Sequence, residues 1–125
     1  MASRTEFAAR ILPACLFAGV VTGIVILSLL PGKGVVNDGY TDKIEHFIAY
    51  ATAGLMGMPG MRGRHFWSLF WGLVALGGFL EVAQAFVPGR TPSWLDLAAD
   101  AVGAAFGIYV WTAARVRLGQ DRERG

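Results

Sequence analysis

Five polar residues, Glu81, Gln84, Arg90, Asp96 and Asp100, fall inside one short stretch, EVAQAFVPGRTPSWLDLAAD, between two very apolar runs. A carboxylate within a membrane helix costs about 2.5–3.5 kcal/mol on insertion scales, so such positions are candidates for function. Upstream, Asp42, Lys43, His46 and Tyr50 occur in DKIEHFIAY. Three kinds of chemistry are open to this set. Lys43, Arg90 and a protonated His46 could hold a phosphate, Arg90 through its bidentate fork. Glu81, Asp96 and Asp100 would then orient those cations and accept hydrogen bonds from sugar or peptide donors. Alternatively His46 with Glu81 or Asp100 is a general acid–base pair, which makes those three the candidate catalytic residues. Third, His46 and the carboxylates could hold a divalent metal. Neither Ser nor Cys stands in the cluster as a nucleophile, and the H-x-x-E and H-E-x-x-H spacings of zinc sites are missing. A metal would have to draw its ligands from three helices, so neither metal nor cofactor is expected. Purely structural roles compete with each of these. Gln84 and Tyr50 suit interhelical hydrogen bonds, Asp42 a helix cap, and Lys43 a snorkelling side chain. Arg90 could rest at the interface, pair with Asp96, or fold back onto Glu81.

The elements that position these residues follow from hydropathy. The chain has 125 residues, 54% hydrophobic and 16% charged, with a mean hydropathy of +0.49. Soluble domains carry about 25% charge. The apolar runs are long enough to cross a bilayer, which takes about 20 helical residues. A net charge of +2 and a pI near 9.0 do not indicate nucleic acid, because the arginines gather beside hydrophobic runs as topology signals do. Four spans are expected, over about 11–30, 42–58, 66–86 and 94–114, followed by a charged, frayed tail at 115–125. The first is too long for a signal-peptide core and no A-x-A-like site follows it. Pro31-Gly32 stops it, Cys15 packs on it as a small hydrophobe, and Gly19 and Gly23 give it a G-x-x-x-G packing face. Thr41 or Asp42 caps the second helix and Ser93 the fourth. Asp42, His46 and Tyr50 share one face of helix two, continued by Ala53, Gly54 and Gly57. Trp67 and Trp71 anchor the start of helix three at the interface. Gly77, Glu81 and Gln84 share a face of that helix. Asp96, Asp100, Gly103 and Gly107 make one stripe on helix four. The predicted fold class is therefore an all-α integral membrane four-helix bundle, one domain over 1–114 with a short tail.

Orientation follows from the basic residues. Arg4, Arg10, Arg62, Arg64, Arg115, Arg117, Arg122 and Arg124 mark one side, against Lys33, Lys43 and Arg90 on the other. Positive loops stay in the cytoplasm, which puts both termini there. The starts of helices two and four and the end of helix three then share the extracytoplasmic side. At 1.5 Å per residue Glu81 lies about 9 Å below Val87, Asp100 about 9 Å below Trp94 and His46 about 6 Å below Asp42. The groups converge on one shallow, outward-facing polar pocket.

The ordered set Asp42, Lys43, His46, Tyr50, Glu81, Gln84, Arg90, Asp96 and Gly103, read as D-K-x-x-H, E-x-x-Q, P-G-R and a following Asp and Gly, resembles the VanZ-like family of small membrane proteins. The resemblance covers about residues 27–110. It departs at Asp100, where the family pattern carries Asn. It implies a multi-pass protein of the bacterial inner membrane, in a family whose founding member is linked to low-level resistance to the glycopeptide teicoplanin. It brings no biochemical mechanism. The leading expectation is that Lys43, His46, Glu81, Gln84, Arg90, Asp96 and Asp100 bind the head group of a membrane lipid or lipid-linked cell-wall precursor. The alternatives are an accessory subunit that meets a partner membrane protein through its glycine faces, and a lipid-modifying enzyme using His46 and the carboxylates.

Overall fold

The computed structural model describes residues 4–32, 39–61 and 65–124, with the backbone alone at 4–6, 10 and 122–124. Four helices follow one another: α1 (Arg4–Leu29), α2 (Tyr40–Gly57), α3 (Phe66–Gln84) and α4 (Trp94–Arg124). No strand occurs among the described residues. The helices α1, α3 and α4 are each long and apolar enough to cross a membrane. The outside of the molecule is apolar, with Trp67, Trp71, Phe79, Val82 and Phe86 all exposed, while Glu81, Gln84, Asp96 and Asp100 are buried. That is the distribution of a protein solvated by lipid, in which polar groups must find their partners inside.

The four helices, their order and the site faces agree with the sequence. Several boundaries do not. The first helix begins at Arg4 rather than near Ile11, so Pro13 stands in its interior. Neighbouring contacts make such a proline tolerable in membrane helices. The expected frayed tail is instead a continuation of α4 to Arg124, about 46 Å in all at 1.5 Å per residue. Arg115 lies over the Trp111 ring at 5.0 Å, so its cationic head and stem cover that aromatic. The N-cap of α2 is Gly39, at φ +55°, and not Thr41 or Asp42. A left-handed backbone there admits glycine without Cβ strain. Cys15 is exposed on α1 rather than packed. The face of Gly19 and Gly23 meets nothing among the described residues, since a Cβ at either would find nothing within 4 Å. The basic side chains of Arg4, Arg10, Lys33, Arg62, Arg64, Arg122 and Arg124, on which the expected orientation rests, lie outside the described residues.

The most extensive helix contact is between α2 and α4, which are not consecutive. Their register is parallel. Lys43 lies against Asp96, His46 against Asp100, Phe47 against Gly103 and Ala51 against Gly107, so the numbers on both helices rise together. At Gly103 and Gly107 a Cβ would sit on the main-chain carbonyls of Phe47 and Ala51. A Cβ at Gly54 would lie 2.5 Å from the Ala104 oxygen. Small residues permit this approach of backbones, which dispersion and Cα–H···O contacts then stabilise. The remaining helices flank the seam, α3 chiefly on α4 and α1 chiefly on α2. Tyr50, Ala53, Met58, Leu69, Leu73, Leu80 and Ala104 form the buried core.

Because a single methyl suffices to collide with backbone, Gly107→Ala should lower stability by about 1–3 kcal/mol or more. Gly19→Ala should be neutral within about 0.5 kcal/mol. Thermal unfolding in detergent compares them, and equal melting temperatures for both variants would refute the parallel seam.

Candidate functional site

The polar groups of the candidate site lie at one end of the molecule, where α1 and α3 finish and α2 and α4 begin. Two rungs span the α2–α4 seam. The Lys43 Nζ donates to Asp96 Oδ1 at 3.1 Å. One turn further in, His46 Nδ1 meets Asp100 Oδ1 at 2.8 Å. Helix periodicity explains the match, for Lys43 and His46 are three apart and Asp96 and Asp100 four apart, each pair on one face. Asp100 is only 1% exposed. Its other oxygen lies against Gly77 of α3, where a Cβ would approach Oδ2 to 2.6 Å and the Tyr50 hydroxyl to 3.3 Å. The glycine on α3 thus makes the space that the aspartate and the tyrosine fill.

Glu81 is fixed from the following turn. The Ser93 main-chain N–H donates to Glu81 Oε2 at 2.7 Å. The Ser93 carbonyl accepts from Asp96 and Leu97 at 3.0 and 3.3 Å. Ser93 therefore stands immediately before α4, with its backbone tied to α3. The end of α1 is held by the α3–α4 turn. Arg90 donates from Nε to the Leu30 carbonyl at 3.1 Å and from Nη2 to the Leu27 carbonyl at 2.7 Å. Gln84 Nε2 donates to the Ser28 carbonyl at 3.1 Å. Gly32 N–H donates to Pro88 O at 3.1 Å beside Gly89, whose φ of +74° carries the chain past α1. These donors satisfy carbonyls that end a helix without an intrahelical partner.

Two expected pairings are thereby corrected. Arg90 engages neither Glu81 nor Asp96. Its long side chain reaches the negative end of the α1 dipole instead, where a cation is favoured, and Asp96 takes Lys43. The structure brings His46, Glu81 and Asp100 together: one ligand atom from each lies within 4.8 Å of the others. Asp42, His46 and Asp96 form a second such group nearer the start of α2. One buried side-chain atom among the described residues lacks a hydrogen-bond partner, the Tyr50 hydroxyl, and Tyr50 is 2% exposed.

A cavity of about 120 Å³ opens beside His46, between α1, α2 and the end of α3. Its wall combines apolar Ile24 and Leu27 with Glu45, His46, Gln84 and Arg90. The sequence reading did not single out Glu45 or the α1 carbonyls. Glu45 had a detectable signal, since it stands three residues from Asp42 and borders the same face. The carbonyls had none, because every residue carries one. Compared with protein-family models, with curated proteins and with solved structures, the chain finds no match.

Lys43→Met leaves buried Asp96 unpaired and should destabilise by about 1–3 kcal/mol, and Asp96→Asn in that background should recover most of it. Arg90→Gln and Glu81→Gln should instead add to within about 0.5 kcal/mol, because the two side chains share no contact. Denaturation of both double-mutant cycles checks the assignment, and strong Arg90–Glu81 coupling would contradict it.

Proposed function

We propose that this chain is a four-span membrane protein of the VanZ-like kind that binds the polar head group of a membrane lipid or lipid-linked precursor in the cavity beside His46. The observation that carries the reading is the lining itself. One wall is Ile24 and Leu27, suited to a hydrocarbon chain, and the other is Glu45, His46, Gln84 and Arg90, suited to a head group. The order of residue types that resembles the VanZ-like pattern supports a bacterial inner-membrane setting. The fourth crossing is α2. Its 18 residues give a length of about 27 Å, close to the hydrocarbon thickness. Its charges, Asp42, Lys43 and Glu45, are confined to the end that carries the site. With the arginine-rich segments cytoplasmic, both termini are inside and the cavity faces outward.

The geometry narrows the head group. Lys43 is engaged by Asp96, and Arg90 spends Nε and Nη2 on α1, leaving Nη1. Acidic Asp42 and Glu45 stand on the same lining. A head group with amino or hydroxyl donors beside its phosphate suits this wall better than a bare phosphate. A second reading, chemistry on that head group, draws on the His46–Asp100 contact, since a carboxylate on one imidazole nitrogen orients the other for proton transfer.

Lipids retained through purification in mild detergent should be selective relative to the host membrane. Ala49→Leu, which fills the cavity wall, should cut retention about fivefold or more, as should Glu45→Gln, with melting temperatures near wild type. Bulk-membrane lipid on all three proteins by mass spectrometry would refute binding there. Reporters fused after Gly125 and within 60–64 should read cytoplasmic, and one within 33–38 external. The reverse pattern would turn the cavity to the cytoplasm.

A further inference from the structure

We propose that His46, Glu81 and Asp100 bind one divalent transition-metal ion, of the Zn²⁺ or Mn²⁺ class, in the core of the helix bundle. The inference goes beyond head-group binding and does not require it. Three independent observations converge.

The first is geometry. Donor atoms from α2, α3 and α4 lie within 4.8 Å of one another. Metal–ligand bonds of about 2.0–2.2 Å place donors on one ion up to about 4.4 Å apart, so small side-chain rotations complete the set. One ligand is already oriented by a second group: the Ser93 N–H fixes Glu81 through Oε2, leaving Oε1. Such outer-shell support is general for ligating groups. His46 Nδ1 and Asp100 Oδ1, 2.8 Å apart, stand as close as two donors on one ion, which would take the place of the proton between them. The absence of a zinc-type sequence spacing is what three separate helices would produce.

The second is charge. Among the buried acids, Asp96 has its cation in Lys43, whereas Arg90 is committed to the α1 carbonyls. Glu81 and Asp100, 8% and 1% exposed, are left with His46 alone. Two carboxylates sharing a desolvated site require more positive charge than one imidazolium supplies, and a divalent ion supplies it. One imidazole with two carboxylates is a borderline donor set that suits Zn²⁺ or Mn²⁺ better than Mg²⁺ or Ca²⁺, which take oxygen alone.

The third is the orphan hydroxyl. Tyr50 is 2% exposed, and its oxygen has no hydrogen-bond partner among the described residues although it lies beside the same Gly77 that receives Asp100 Oδ2. A buried hydroxyl is expected to be satisfied. A ligand of the ion, such as a bound water, would satisfy it. Asp42 and Glu45, on the lining of the adjacent cavity, provide an acidic path for a cation to His46.

The test is metal content and metal-dependent stability of the full chain in detergent. Chelator-stripped protein should take up about one Zn²⁺ or Mn²⁺ per chain in equilibrium dialysis and gain melting temperature, while Mg²⁺ and Ca²⁺ at the same concentration add nothing. Glu81→Gln and Asp100→Asn should each weaken uptake about tenfold or more. Asp42→Asn, in the outer group, should leave it within about threefold. Should the core variants fail to fold, the wild-type titration decides alone. No uptake and no thermal shift for the stripped wild type would overturn the proposal and leave the carboxylates compensated by protons. Loss of uptake in Asp42→Asn with retention in Glu81→Gln would overturn it too, by moving the ion to the outer group. Lipid retention is read in separate samples, so failure of the head-group reading would leave this result standing.

Discussion

The parallel seam between α2 and α4 sets the position of almost every other group. Gly103 and Gly107 let the α4 backbone come onto the carbonyls of Phe47 and Ala51, and Gly54 returns the contact at Ala104. At that separation a lysine and a histidine on α2 are within reach of two aspartates on α4. The bridges join residues 53 and 54 apart in sequence, a nearly constant offset that only parallel helices give. Larger residues at the glycines would part the helices, and the two rungs would open with them. Packing by small residues and pairing of buried charge are here one constraint, since each requires the register that the other fixes.

The flanking helices serve the seam differently. On α3, Gly77 yields space to Asp100, and Glu81 binds the amide that begins α4. The Glu81 hydrogen bond and the close fit of Asp100 at Gly77 therefore tie α3 to α4. The contribution of α1 is more peripheral. Its middle is largely exposed to the surroundings, and its carboxyl end is held by Arg90 and Gln84 acting on the carbonyls of Leu27, Ser28 and, just beyond the helix, Leu30. The cationic groups of the site thus work mainly within the protein. A cavity that would be neutral with a free Lys43 and Arg90 is in fact acidic in its uncommitted groups. This balance directs the proposals toward hydrogen-bond donors and cations and away from a simple phosphate cradle.

The sequence by itself determined the helical, apolar class of the molecule and which polar residues share a helix face. Long apolar runs make helices without tertiary help when lipid is the solvent, because the backbone has no other partner for its hydrogen bonds. Periodicity then assigned Asp42, His46 and Tyr50 to one face, Gly77, Glu81 and Gln84 to another, and Asp96, Asp100, Gly103 and Gly107 to a third. All of these residues are buried except Asp42 and His46, which are partly exposed. Pairing was beyond it. Which carboxylate takes Lys43, and whether Arg90 meets an acid or a helix end, depends on distances between helices far apart in the chain. The same limit applies to glycines. Gly19 and Gly23 show the same spacing as Gly103 and Gly107, but only the second pair has a backbone against it. Local sequence can offer a small-residue face. Only the arrangement of neighbours decides whether it is filled, and only the arrangement of neighbours left the Tyr50 hydroxyl without a partner beside two buried carboxylates.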